Sequence, residues 1–264
     1  RFQYPAPTIS GVTTTTNPML PGTTTTLQIS GSNFGPTGTT FVSEVTYGPA
    51  GEFDKYDAFN CGVTTSNTQI SCDTVSGVGA DLQVRAVIGS ADINTVTLTS
   101  SSGQTIAYAG PTINSVTVSA GSLSTTSATE ITVSGSNFGP TSTKGDGVAV
   151  ARYGTDPATV TGGIDASECI IVSNTQLRCD SIPAAGGTGM SLEVTVGGQK
   201  SSVHAANLNY PRPQISSISS TTDPMLPATA TSIEVQGSNF GPLGTQYTPI
   251  LSYGGTDGRK YTAT

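Results

Sequence analysis

The hexapeptide Gly-Ser-Asn-Phe-Gly-Pro occupies residues 31–36 and returns unchanged at residues 135–140 and 237–242. The copies begin 104 and 102 residues apart, and a tyrosine followed within three residues by proline marks the same period. Self-similarity at this spacing predicts a tandem array of domain-sized repeats. Cutting the chain after each of these tyrosines predicts residues 1–4 as the last strand of a preceding repeat, 5–108 as repeat one, 109–210 as repeat two and 211–264 as the first half of repeat three.

The apolar residues of each repeat alternate with polar ones over short stretches, as at Leu27 and Ile29, or Ile131 and Val133. Alternation of period two predicts half-buried β-strands, and β-branched Thr and Val favour extended backbone. Glycine, proline, asparagine and aspartate separate the stretches, and no window keeps a helical period. About seven short strands in about 100 residues is typical of an immunoglobulin-type sandwich. We therefore predict an all-β chain of tandem immunoglobulin-like β-sandwich domains.

The hexapeptide combines turn-forming residues with one large apolar side chain. Gly31 and Gly35 suit a chain reversal with positive φ, and Asn33 tolerates the left-handed region. Phe34 offers a bulky ring to a core otherwise built of Val, Ile and Thr. We interpret Phe34, Phe138 and Phe240 as structural corners; the alternative is that these rings are stacking platforms for a sugar or a base.

Repeats one and three share a second motif that repeat two lacks. Pro-Met-Leu-Pro occurs at residues 18–21 and again at 224–227, 206 residues apart. Either two types of domain alternate along the array, or the copies of a recent duplication have drifted apart. The sequence alone leaves both interpretations open.

The four cysteines form two pairs at equivalent places, Cys61 with Cys72 in repeat one and Cys169 with Cys179 in repeat two. Corresponding pairs predict one disulfide per repeat, which stabilises a domain with a small core. Disulfides imply an oxidising compartment, so we expect an extracellular or cell-surface location. A zinc site is the rival interpretation, but Cys-x2-Cys spacing is absent and His204 is the only histidine.

Taken together, these features resemble the IPT/TIG family, immunoglobulin-like modules of plexins, other cell-surface receptors, accessory regions of secreted polysaccharide-acting enzymes and Rel-type transcription factors. The likeness is carried by residues 7–12 (PTISGV), residues 27–35 (LQISGSNFG), the cysteine pair, residues 82–84 (LQV) and Tyr108, with counterparts in repeat two. It covers both full repeats and the first half of the third. The resemblance implies an early-set immunoglobulin-like sandwich, usually in extracellular strings, and no enzymatic activity. The basic DNA-contacting loops of the transcription-factor branch have no counterpart in this chain.

Charge and hydropathy exclude two classes of partner. Ten Lys and Arg against 17 Asp and Glu give a net charge of −7, whereas nucleic-acid affinity depends on clustered cations. No run approaches the roughly 18 uncharged apolar residues of a membrane helix. We predict no nucleic-acid partner and no direct membrane insertion by this segment.

Residues that could carry catalysis or bind metal are scarce. Nucleophilic catalysis needs a base beside the nucleophile, and the single histidine, His204, is expected at the surface. The EF-hand pattern of acidic residues is absent. Carboxylates that could pair for glycoside chemistry or calcium lie in glycine-rich loop regions: Glu52, Asp54 and Asp57, and Asp156, Asp165 and Glu168. We predict no enzyme activity, no cofactor and no metal site, with calcium binding left open.

Tracts of threonine and serine are the least ordinary feature of the chain. Hydroxyl-rich tracts near proline are good acceptors for O-linked sugars, although threonine also simply suits strands. No Asn-x-Ser/Thr sequon occurs, which excludes N-linked glycans. The first candidates for O-glycosylation are Thr13, Thr14, Thr15, Thr16, Thr23, Thr24, Thr25 and Thr26.

Two functional hypotheses follow. The first is a structural component of a secreted or cell-surface fibre or filament, whose partners are other copies of the chain or neighbouring repeats, because Pro-containing junctions with almost no linker favour a semi-rigid rod. Copies could associate side by side or by strand addition to an incomplete domain. The second is an extracellular adhesion, receptor or carbohydrate-binding module, which predicts a ligand specific to one repeat.

Overall fold

The computed structural model of the chain describes residues 5–89, 95–142, 148–155, 160, 163–222, 225, 231–243, 250–256 and 258–263. Within these ranges the chain forms antiparallel β-sheets and no helix, which confirms the predicted all-β class. Consequently none of the described ranges has the long apolar helix that crossing a bilayer takes. The strand expected at residues 1–4 lies outside the described residues.

Repeat one folds into two facing antiparallel sheets. One has the strand order β1-β2-β6-β5, and the other the order β4-β3-β7-β8 with β9 on β7. Inward side chains of both sheets, among them Leu27, Ile70 and Val84, share one buried cluster, as in a two-layer sandwich. The strands are β1 (Thr8–Thr14), β2 (Thr26–Ser32), β3 (Val42–Gly48), β4 (Tyr56–Asp57), β5 (Phe59–Thr65), β6 (Gln69–Asp73), β7 (Leu82–Ile88), β8 (Val96–Thr99) and β9 (Thr105–Ile106).

Repeat two has the same arrangement, except that one long strand runs from sheet to sheet. Residues 164–166 of β13 pair with β12, and residues 167–173 pair with β14. In repeat one the same path is split between β4 and β5. The strands are β10 (Thr112–Val118), β11 (Thr129–Ser136), β12 (Ala149–Gly154), β13 (Ile164–Ser173), β14 (Gln176–Ile182), β15 (Met190–Val196), β16 (Gln199–Lys200) and β17 (His204–Leu208).

Repeat three contributes two separate hairpins. Strands β18 (Gln214–Ser220) and β19 (Ile233–Ser238) pair with each other, as do β20 (Ser252–Gly254) and β21 (Lys260–Thr262). Ile215 and Phe240 are exposed, whereas their counterparts in repeat one, Ile9 and Phe34, pack in the core. Among the described residues of repeat three, no second sheet covers this apolar face.

The hexapeptide is a corner that folds a phenylalanine ring back over a strand. Phe34 and Phe138 are fully buried at 0% exposure, and Phe240 is 39% exposed. Asn33 and Gly35 take positive φ of 61° and 93°, as predicted. Gly31 does not, and that expectation was wrong: a Cβ there would lie 1.9 Å from the Thr8 carbonyl oxygen and 2.3 Å from Phe34 Cζ. Glycine is therefore required for close approach and not for backbone conformation.

Each complete sandwich also contains a pair of buried tyrosines with bonded hydroxyls. The Tyr47 and Tyr108 oxygens are 2.8 Å apart, and those of Tyr153 and Tyr210 are 3.0 Å apart. Tyr108 donates to the carbonyl of Val75. Burial raises the pKa of the Tyr108 hydroxyl far above its usual range and raises the pKa of Tyr47, because a phenolate would lose its hydration there.

Replacing Gly31 by alanine should destabilise repeat one. The added Cβ collides with strand β1 and the Phe34 ring, and overpacking of this kind costs about 1–3 kcal/mol or more. The matched control is Gly11→Ala on β1, where a Cβ would meet nothing within 4 Å. Denaturant unfolding measures both variants; a Gly31→Ala protein as stable as Gly11→Ala would contradict the proposed packing.

The buried tyrosines should make the fold sensitive to alkali. Because the pKa of Tyr47 and Tyr108 is raised in the folded state, their contribution is complete below the unfolded value of about 10 and is lost as pH rises above it. We expect the free energy of unfolding to fall with pH above about 10, and to fall less steeply in a Tyr47→Phe/Tyr108→Phe variant. Equal slopes for the two proteins would disprove the assignment.

Candidate functional site: threonine tracts and the junction between repeats

The predicted cysteine pairs are bonded in the structure, Cys61 to Cys72 and Cys169 to Cys179. The second bridge links directly opposed residues of the neighbouring strands β13 and β14, and Cys72 and Cys179 lie in the two cores. All four cysteines of the chain are thus in disulfides. Each bridge therefore lies on the side of its sandwich where the chain passes from one sheet to the other.

The threonine tracts of repeat one line the turn between β1 and β2. Thr14 and Thr26 are half-buried, and the exposed members are Thr13, Thr15, Thr16, Thr23 and Thr24. Thr25 differs from the other candidates, because it is only 7% exposed. Its hydroxyl lies 2.9 Å from that of Thr15, and its amide donates to the Thr74 hydroxyl at 3.1 Å. A transferase cannot reach Thr25 in the folded domain.

The candidate catalytic and metal-binding residues are dispersed. Asp165 on β13 pairs with Arg152 at 3.2 Å, Glu168 is exposed on the same strand, and His204 is half-buried on β17. Glu52, Asp54 and Asp57 are exposed around the β3–β4 connection, and Asp156 lies outside the described residues. The described residues contain no cluster of three His, Cys, Asp or Glu side chains able to hold a metal ion.

The contact between repeats one and two is a side chain of one repeat buried in the other. Val78, in the loop between β6 and β7, is 4% exposed and belongs to the buried cluster of repeat two. Two glycines of repeat two make room for it. A Cβ on Gly139 would lie 2.2 Å from Val78 Cγ1, and one on Gly197 would lie 2.7 Å from Val78 Cγ2. We call Gly139 and Gly197 the socket, and Val78 the plug.

Polar contacts surround the plug. The Gln199 side chain of repeat two accepts a hydrogen bond from the Gly79 amide at 3.2 Å and donates one to the Tyr108 carbonyl at 3.0 Å. On the other side, a Cβ on Gly22 would lie 3.2 Å from the Asn174 amide nitrogen, which places the β1–β2 turn of repeat one against the β13–β14 turn of repeat two. The junction thus combines an apolar centre with hydrogen bonds at its edge.

Beside the second junction, the described residues leave an apolar groove. This groove of ≈ 840 Å³ runs between Gly186 and Gly187 of repeat two and Phe240 and Gly241 of repeat three. The Thr125 hydroxyl of repeat two donates to the Asn239 side-chain oxygen of repeat three at 3.4 Å. The apolar part of the groove wall includes Ile215, Ile233 and Val235, which correspond to core residues of repeat one.

Repeat two has the same buried corner, cystine and two-sheet topology as repeat one. A family model described as the IPT/TIG domain matches this part of the chain, at residues 111–210. Residues 111–210 are an IPT/TIG domain. The early-set sandwich expected from the resemblance agrees with the two-sheet fold of this IPT/TIG domain. No curated protein matches the chain.

Solved structures similar to this chain include two from Bacteroides and one from Escherichia coli. SGBP-B of a xyloglucan utilization locus of Bacteroides uniformis is 21% identical, with a TM-score of 0.28, over 83% of this chain and 56% of that one. SGBP-B of a mixed-linkage glucan locus of Bacteroides ovatus is 14% identical, TM-score 0.24, over 76% and 44%. The adhesin FdeC of Escherichia coli is 13% identical, TM-score 0.31, over 92% and 78%. The chain thus spans about half the length of the two SGBP-B proteins, and similarity at this level carries no inference about what it does.

Removing the bridge of the IPT/TIG domain should lower its stability without changing its fold. In the chain-entropy treatment, a loop of this size contributes about 2–3 kcal/mol. We expect a Cys169→Ala/Cys179→Ala variant to lose that amount in denaturant unfolding of repeat two. Reduction of the unmodified chain is the control and should produce the same loss in each repeat. Unchanged midpoints under both treatments would refute a stabilising role.

Proposed function

We propose that this chain is part of a structural, non-enzymatic component of a secreted or cell-surface fibre or filament built from tandem immunoglobulin-like domains. The observation that carries the proposal is the plug of repeat one in the core of repeat two. A structural element that sets a spacing is stiffened when one domain is packed into the next, as repeat one is packed into repeat two.

The geometry of the first junction supports a rod. Tyr108, which closes the core of repeat one, is followed after two residues by the buried Pro111, so almost no chain is free to bend. Burying a valine side chain contributes about 1.5–3 kcal/mol, and the Gln199 bonds add directionality at its edge. Bending this junction would expose the valine and break both hydrogen bonds.

Location and modification form the second part of the proposal. Disulfides are typical of proteins from oxidising compartments, which supports an extracellular or cell-surface location. The threonines of the β1–β2 turn are exposed at one end of the hairpin, and we propose O-linked glycans there. Other copies of the chain are the proposed partners of such a fibre, and no nucleic-acid partner is proposed.

The buried Thr25 is an internal control for O-glycosylation of this turn. Mass spectrometry of the protein from its native source should find O-linked sugars on exposed positions such as Thr15, Thr16, Thr23 or Thr24, and none on the buried Thr25. Sugars on Thr25 would contradict the folded geometry. A turn without any sugar would remove O-glycosylation from the proposal and leave the structural role to be tested separately.

Electron microscopy of the native material tests the structural role. We expect rods or filaments whose repeat along the axis follows the domain period. A glycan array and pull-down with the purified chain test the alternative, an adhesion or carbohydrate-binding module. Isolated particles together with saturable binding that depends on one repeat would overturn the structural proposal in favour of the binding one.

A further inference from the structure

The plug is held from behind by a tyrosine of its own repeat. The Tyr56 hydroxyl donates to the Val78 carbonyl at 2.8 Å and accepts from the Val78 amide at 3.0 Å. The Tyr56 ring lies 5.2 Å from that of Tyr47 and 5.8 Å from that of Tyr108. Both backbone groups of Val78 are therefore fixed to the aromatic core of repeat one, and its side chain is left to enter repeat two.

We call the Tyr56 hydroxyl and the Val78 residue that it holds the fastener. Repeat two lacks both of its parts. Strand pairing opposes Tyr47 to Tyr56 in repeat one, and Tyr153 to Ile164 in repeat two, so an isoleucine without a hydroxyl takes the place of Tyr56. The Tyr108 amide donates to the Gly79 carbonyl, and the Tyr210 amide donates to that of Gly187. Gly187 therefore corresponds to Gly79, and the residue before it, Gly186, takes the place of Val78.

One of the two socket glycines has a counterpart at the second junction. Gly241 of the third hexapeptide has a φ of 97°, against 93° for Gly139, and it lines the same groove as Gly186. Gly241 therefore keeps the conformation of the socket residue Gly139, and Gly186 offers no side chain to pack against it.

Repeat three has the holding tyrosine again. Tyr253 is paired with Tyr261 as Tyr47 is paired with Tyr56, and the two rings lie 5.5 Å apart. Repeats one and three also share the Pro-Met-Leu-Pro motif that repeat two lacks. Two independent sequence features thus place repeats one and three in one class and repeat two in another.

We propose that repeats one and two form a single rigid unit fastened by the Tyr56-held Val78, that the junction between repeats two and three has no such fastener, and that stiffness alternates along the array with a period of two repeats. The proposal rests on the junction contacts alone and holds whether or not the array forms a fibre. It also favours two alternating domain types over drift of a single type.

Residual dipolar couplings of backbone amides in the intact chain test the rigid unit. Couplings from repeats one and two should fit one common alignment tensor, and those from β18 and β19 should not. Val78→Asp places a carboxylate in the socket and should abolish the common tensor. The control, Val172→Asp, alters an exposed valine of β13 and should preserve it. Separate tensors in the unmodified chain, or a common tensor in Val78→Asp, would overturn the proposal.

A second pair of variants, with smaller changes, distinguishes loss of the junction from unfolding of a repeat. Tyr56→Phe removes only the hydroxyl that holds Val78 and should also cause loss of the common tensor, whereas Tyr261→Phe makes the same change away from this junction and should not. In each variant the couplings of a single repeat must still fit that repeat's own structure. If Tyr56→Phe keeps the common tensor, the holding role is refuted.

At the junction between repeats two and three, the reverse experiment introduces a fastener instead of removing one. A Cβ on Gly186 would meet nothing within 4 Å, and its φ lies outside the left-handed region, so valine fits there. In an Ile164→Tyr/Gly186→Val variant, the tensor of β18 and β19 should shift toward that of repeat two. If the unmodified chain already has one tensor for all three repeats, alternation is refuted.

Discussion

The close approach of three groups at each corner is the constraint from which the rest of the structure follows. The Gly31 α-carbon lies against the Thr8 carbonyl of β1, and the Phe34 ring folds back over it. Any side chain at Gly31 would separate the two strands and expel the ring. With the ring in place, the sandwich has a large apolar group at the end where the preceding chain enters, and the Asn33 side chain secures that entering chain by donating to the Ala6 carbonyl at 3.0 Å. Asn137 makes the same bond to Gly110 in repeat two.

This corner also makes the junction possible. Gly139 belongs to the hexapeptide of repeat two, and its missing Cβ is the space that Val78 occupies. One short motif therefore serves both the interior of a domain and its contact with the domain before it. Val78 is in turn held by the Tyr56 hydroxyl, and the Tyr56 ring packs with Tyr47 and Tyr108. The cores of two successive domains are therefore linked by a continuous series of hydrogen bonds and packed side chains. Such packing supports the structural role proposed for the array.

Features that recur or alternate could be predicted from the sequence, and features that depend on one side chain could not. The period, the strand pattern around Leu27 and Ile29, the burial of Phe34 and the cystine pairs follow from local chemistry repeated in two copies. Val78 is a single valine in a glycine-rich loop, and no periodicity marks it as buried, since its burial is created by another repeat. The assignment of Gly31 was wrong because a glycine required for close approach and one required for positive φ look alike in a sequence. Thr25 is buried only because the turn folds back onto Thr74, which a tract of identical residues does not reveal.

Repeat one is packed into repeat two and not merely tethered to it. Hydrogen exchange of the Gly79 amide in the intact chain tests this most directly, because that amide donates to Gln199 across the junction at 3.2 Å. A closed junction predicts exchange slowed to the level of the neighbouring strand β7. Exchange at the rate of an unstructured peptide, with β7 itself protected, would show that the junction is open in solution and would contradict the account.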